Sequence, residues 1–146
     1  VNLISKTPTD EKELGFHLNG SSGRGFDING FYGQRFNKIG TTIFAAHNRN
    51  WAYTPSGDFS AIPKFDRYVF NPKLFVYLSD KTKLNVGLNT AIENRIGGDI
   101  HFIQGKGDTI HSYFEENKTQ RYSTQLSFDH KFNDKSFFNF KSCVSK

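Results

Sequence analysis

Hydrophobic and polar residues alternate with a period of two along most of this chain. The pattern is clearest from Arg67 to Glu93. Tyr68, Phe70, Leu74, Val76 and Leu78 fall on one side, with Val69, Asn71, Lys73, Phe75 and Tyr77 on the other. Leu84, Val86, Leu88 and Ile92 then oppose Lys83, Asn85, Gly87, Asn89 and Glu93. Successive side chains of a strand point to opposite faces, so this period predicts strands with one apolar and one wet face. Ser79-Asp80-Lys81 joins the two halves, and so short a join between alternating runs predicts an antiparallel hairpin. Each arm has about 12 residues, against roughly 5 to 6 for an ordinary strand. Crossing a bilayer at a barrel's tilt takes roughly 9 to 11.

The same period extends the prediction to seven strands and no helix. Leu14, Phe16 and Leu18 oppose His17 and Asn19, and Phe26, Ile28, Tyr32 and Phe36 oppose Asp27, Asn29 and Arg35. Thr41 to Asn48 makes a third strand, less clean because Ile43 and Phe44 are adjacent. A strand from about Asn117 to Phe132 and a last one through Phe138, Phe140 and Val144 follow the central hairpin, with DIHFIQG as a strand extension between them. The joins alternate in length: Asn37 to Gly40, Ser79 to Lys81 and Asn133 to Lys135 are short, whereas Arg49 to Asp66 and Asn94 to Glu116 are long. An up-and-down meander puts alternate joins at opposite ends, and outer-membrane barrels keep short turns on one side and long loops on the other. Aromatic residues sit near strand ends, Phe36, Phe132 and Phe138 by short turns and Tyr68 and Tyr122 by long loops, where interface girdles belong. The expected fold class is therefore all-β: an antiparallel up-and-down transmembrane β-barrel, of which about seven strands are present. In that register Leu84, Val86, Leu88 and Ile92 face lipid, and Asn85, Asn89 and Glu93 face the lumen.

Composition agrees with strands. Sixteen Phe and six Tyr with no Met fit a β-rich chain, and a barrel strand shows lipid only at every second residue, so no long apolar run is expected. The net charge of +5 comes from 19 scattered Lys and Arg, and nucleic acid, which needs a clustered basic footprint, is excluded as a partner. Cys143 is the single cysteine, so there is neither an intrachain disulfide nor a cysteine-based zinc site. None of the five histidines stands in a ligand spacing such as HExxH. His101 and His111 are the only candidates for iron or haem, and the solvated-loop reading is preferred. No catalytic constellation, resident metal or cofactor is expected, and the chain is not read as an enzyme.

The segments VNLISKTP, FNPKLFVYLSDKTKLNVGLN, ENRIGGDIHFI and RYSTQLSFDHKF resemble TonB-dependent outer-membrane receptors, particularly those of Bacteroidetes-type bacteria. VNLISKTP is similar to the last strand of the receptors' plug domain, and the other segments to early barrel strands. The resemblance implies that residues 1–8 end a plug, 9–12 link, and 13–146 begin a β-barrel of roughly 22 strands. It also implies uptake of a scarce nutrient across the outer membrane of a Gram-negative bacterium, with outer-membrane lipid around the barrel. Energy would reach it from TonB through an upstream segment. The plug body, the energy-coupling box and about two thirds of such a barrel are not in these residues, so the chain is expected to be a piece of a longer receptor.

The two long joins hold the candidate ligand-binding residues. Arg49, Trp51 and Tyr53 group the only Trp with a cation and a second ring, and Arg95 and His101 lie in the other join. Guanidinium groups pair with carboxylates and rings stack, which suits an anionic or aromatic-bearing ligand such as a ferric siderophore. A sugar or cobalamin is the lesser alternative, and Trp51 fits an aromatic girdle equally well. A soluble β-sandwich or adhesin-like module and a passive porin-like channel are the rival readings.

Overall fold

The structure is a computed structural model that describes residues 6–146. Residues 1–5, which hold most of the plug-like VNLISKTP run, lie outside the described residues. The rest forms one antiparallel sheet of seven strands in sequence order. They are β1 (Glu13–Gly20), β2 (Gly25–Phe36), β3 (Ile39–Asn50), β4 (Lys64–Ser79), β5 (Thr82–Gly98), β6 (Phe114–Lys131) and β7 (Phe137–Ser145). A short helix, α1 (Ile100–Ile103), stands between β5 and β6. β1 and β7 are the two edges, so the sheet is not closed among the described residues.

Strand lengths exceed the sequence estimate. β4, β5 and β6 run 16, 17 and 18 residues, because pairing continues past the clean alternation into polar residues such as Asn94 and Arg95. Three tight joins, 37–38, 80–81 and 132–136, lie at one end of the sheet, here the turn end. Residues 21–24, 51–63 and 99–113 lie at the other, the loop end. At the first tight join Asn37 takes the left-handed conformation (φ 53°), which Asn tolerates better than most residues.

Register aligns the alternating patterns of all seven strands. The rung Leu18, Ile28, His47, Tyr68, Ile92 and the rung Val76, Leu84, Phe128, Phe140 belong to the same face. Phe16, Tyr68, Phe70, Leu74, Leu88, Tyr122 and Val144 stand exposed there. The ambiguity at Ile43 and Phe44 disappears, since Ile43 pairs with Tyr32 and Pro72 on the apolar face while Phe44 pairs with Phe31 and Asn71 on the other. Phe36, Phe132 and Phe138 lie exposed towards the turn end and Tyr68 and Tyr122 towards the loop end. Among the described residues of the sheet and its loops, the only buried hydrophobic ones are Phe75 and Ala52. The sheet thus has no sandwich core of its own, and its apolar face is left for something else to cover.

The opposite face is bonded across strands by polar side chains. Asn19 and Asn48 both donate to Asp27 (3.0 and 2.8 Å), Asn89 donates to Ser123 (3.3 Å) and Asn85 to Ser127 (3.2 Å). Residues 6–12 run over this polar face at the turn end. The Arg35 amide donates to the Thr9 carbonyl (2.7 Å), Lys6 pairs with Glu13, and Pro8 is buried. A Cβ on Gly40 would stand 2.7 Å from Pro8 Cγ, so the close approach of this strap needs glycine there. The Arg35 guanidinium lies 3.9 Å from the Tyr77 ring centroid beneath it.

The sequence is corrected at the second long join. DIHFIQG does not extend a strand, and the expectation of no helix fails there, because Gly98 (φ 119°) turns the chain. Asp99 then caps one helical turn, accepting from the His101 amide at 2.8 Å.

Candidate ligand-binding site

The five residues named from the sequence occupy three places. Arg49 pairs with Phe26 and Asp66 on the apolar face at the loop end. Its guanidinium lies 4.6 Å from the Trp51 ring centroid and 3.7 Å from Asp66 Oδ1. Asp66 also meets His47 at 3.1 Å, and His47 stacks on Tyr68 with centroids 4.4 Å apart. The group is closed on itself: a carboxylate between two cation-capable side chains, above stacked rings. Tyr53 exchanges both backbone hydrogen bonds with Ile62, making a small hairpin inside residues 51–63 that leans on the first turn at Gly23.

Arg95 lies on the polar face with partners the sequence reading left out. Glu93, opposite Arg67 in β4, receives Arg67 Nε at 2.5 Å on one oxygen and Arg95 Nε at 2.8 Å on the other. Both guanidinium carbons stand near the Phe65 ring, 5.5 and 5.4 Å from its centroid. The carboxylate side chain is 17% exposed, and the two arginines 39% and 41%. One carboxylate thus fixes two guanidinium groups over an aromatic floor, leaving both arginine side chains partly exposed and a net charge of one positive. Arg121, opposite Ala91 on β6, adds a further cation to the same face. Planar forks held in this way bind carboxylate or phosphate oxygens two at a time.

His101 belongs to a third group, a latch between the two long loops. Phe59 bridges to Asp99, the Ser60 amide donates to the Gly98 carbonyl (2.8 Å) and the Ile100 amide to the Asp58 carbonyl (2.7 Å). Asp99, only 3% exposed, receives His111 Nδ1 at 2.8 Å. The His101 and His111 rings lie 4.5 Å apart, and His101 Nε2 is 3.8 Å from Asp58. No cluster of three or more His, Cys, Asp or Glu with metal-holding geometry exists among the described residues.

Charge tunes this latch. Burial pushes the Asp99 carboxyl up, but hydrogen bonds from His111 and from the His101 and Phe102 amides, with the His111 charge, outweigh it and hold it below 3.8. The His111 imidazole is raised above 6.5, first by its hydrogen bond to Asp99, against burial, and then by the charges of Asp99, Asp108 and Asp58. A depressed carboxyl stabilises above its unfolded value and loses that as pH falls through its folded one. A raised imidazole stabilises fully below its unfolded value and loses that as pH rises through its folded one. Protection of the His101 and Asp99 amides from hydrogen exchange should therefore peak between 3.8 and 6.5 and fall on both sides. Asp99→Asn should flatten the profile; the same profile in the variant would refute the latch.

No protein-family model matches the chain, and neither a curated protein nor a solved structure is significantly similar to it. The double arginine on the polar face is thus assigned from its own geometry.

Proposed function

We propose that this chain is part of the wall of an outer-membrane β-barrel of the TonB-dependent receptor type, a transporter and not an enzyme. It takes up a scarce anionic nutrient, in first place a ferric siderophore. One observation carries the reading: an apolar face that stays exposed over seven strands, backed by a hydrogen-bonded polar face and no core between them. Water does not tolerate so large an apolar surface, whereas hydrocarbon requires it. Strands of 12 residues and more in β2 to β6 are longer than a sandwich needs and sufficient to cross a bilayer, which takes roughly 9 to 11.

In this reading the apolar face meets lipid and the polar face lines the lumen. The tight turns face the periplasm, and the latched loops face outward. The strap of residues 6–12 then arrives on the lumen side at the periplasmic end, where a plug and a TonB-contacting segment upstream would connect. The Arg49, Trp51, His47 and Tyr68 group falls at the outer interface, and Arg67, Arg95 and Arg121 fall on the lumen wall beneath the loops, where an anionic solute would pass. Fractionation of cells making the parent receptor tests the reading. It should be recovered with detergent-extracted outer membrane; recovery in the soluble fraction would overturn the proposal in favour of a soluble binding module.

A further inference from the structure

A second cationic group lies on the polar face at the turn end, at the opposite end of the face from Arg67 and Arg95. There the face opens into a depression of about 630 Å³ lined by Lys73, Lys83, Asn85, Asp129, Lys141 and Cys143, among others. The lysines come from three strands and converge for reasons visible in the register. Lys83 stands on the rung Tyr77, Lys83, Asp129, Asn139, and Lys141 on the next, Phe75, Asn85, Ser127, Lys141. Lys73 is one rung further, opposite Gly87. A Cβ on Gly87 would come within 3.1 Å of Lys73 Cγ, so the glycine lets the lysine stem lie across β5 towards the depression.

The charges do not balance. Asp129 is the one carboxylate lining the depression, and it already accepts from Asn139 Nδ2 and from Ser127 Oγ (3.3 Å). Among the described residues neither Lys83 nor Lys141 forms an ion pair, although Lys83 is directly opposite Asp129. Lys83 and Lys141 against one hydrogen-bonded carboxylate leave positive charge in excess in the hollow. Asn85, Gln125 and Ser127 add neutral polar groups to its lining. Ammonium groups are compact, rotatable donors that gather oxygens without demanding the planar geometry of an arginine fork.

We propose that this depression is a binding site for a compact oxyanion, a phosphate or a polycarboxylate. It goes beyond the uptake reading, because it rests on the polar face of this chain whether or not that face lines a barrel. Asn71, Asn89 and Ser123 lie on the polar face between this site and the double arginine, so an anion meets cations at both ends of the face and neutral amides between.

The test is titration calorimetry of the 146-residue chain in detergent micelles, with citrate and inorganic phosphate as probes. Saturable binding is expected, weakened on the order of tenfold in Lys83→Gln/Lys141→Gln, since removing a charge-assisted hydrogen bond has an effect of that size. Lys83→Arg/Lys141→Arg should retain most of it, and saturable binding should persist in an Arg67→Gln/Arg95→Gln background, which removes the other cationic group of this face. Non-saturating heats, equal weakening by Lys135→Gln in an exposed turn, or loss in the double-arginine variant would each overturn the proposal. If the double glutamine variant does not fold, acylation of Lys141 by an amine-reactive ester decides: citrate should slow it, and an unchanged rate would refute the site.

Discussion

Leu88→Arg should lower the stability of the membrane-inserted receptor by about 2 to 4 kcal/mol, the cost of a cation on the lipid face near mid-bilayer. Asn89→Arg, one residue along the same strand and at the same depth, should cost far less. Leu88 is the middle of the outward run Leu84, Val86, Leu88, Ile92, it pairs with Thr124 on β6, and its side chain is exposed on the apolar face. Asn89 points the other way and bonds only weakly, to Ser123 at 3.3 Å, so a longer polar side chain has room there. Asn85 is a poorer comparison, because its Oδ1 is buried with no hydrogen-bond partner among the described residues, and a substitution there would mix packing with polarity. Urea unfolding from lipid vesicles measures both variants. Equal losses would mean that the apolar face does not meet hydrocarbon, whatever else covers it.

The faces were legible because a period of two leaves only one choice once a single strand is placed. The hairpin at Asp80-Lys81 pairs Ser79 with Thr82, and a one-residue register shift between Tyr77 and Ser79 then sets Tyr77 opposite Lys83, Phe75 opposite Asn85 and Arg67 opposite Glu93. Counting from that turn alone would set Arg67 opposite Asn94, so the ion pair at the candidate site depends on the irregularity as well as on parity. It was obscured by treating Asn94 and Arg95 as loop, since polar residues at the end of a strand look the same whether they pair or not. The separation of Arg49 from Arg95 has the same origin. Both lie next to long joins, but parity puts Arg49 with Phe26 and Tyr68 and puts Arg95 with Glu93, on opposite faces of the sheet. The latch was harder to see. It depends on Asp99 following a glycine with φ 119°, where a Cβ would meet Tyr113 O at 2.6 Å, and no periodicity announces a helix of one turn. Within the strap of residues 6–12, only 9–12 were expected as a linker and 6–8 as the end of a plug strand, and its seat on the polar face depends on Gly40 and Pro8 meeting across many residues of sequence, which alternation does not encode.

Parity also decides which arginines should matter for ligand capture. In a full-length receptor, Arg67→Gln/Arg95→Gln should weaken binding of an anionic ferric siderophore at least tenfold, because two charge-assisted hydrogen bonds are removed, each worth roughly 1.5 to 3 kcal/mol. Arg49→Ala and Trp51→Ala should change affinity little: the Arg49 charge is already engaged by Asp66 at 3.7 Å, its face is spread over Trp51, and both belong to the apolar side. Glu93→Gln separates holding from binding. The two guanidinium groups would keep their charge but lose the carboxylate that fixes them, so the intrinsic attraction rises while the geometry loosens. A variant with faster association and faster release, compared by stopped-flow fluorescence, would show Glu93 acting as the positioning residue. If Arg49→Ala and Trp51→Ala abolish binding while the double-arginine variant binds normally, ligand capture lies where β3 meets residues 51–63 and the polar-face arginines are only part of the wall.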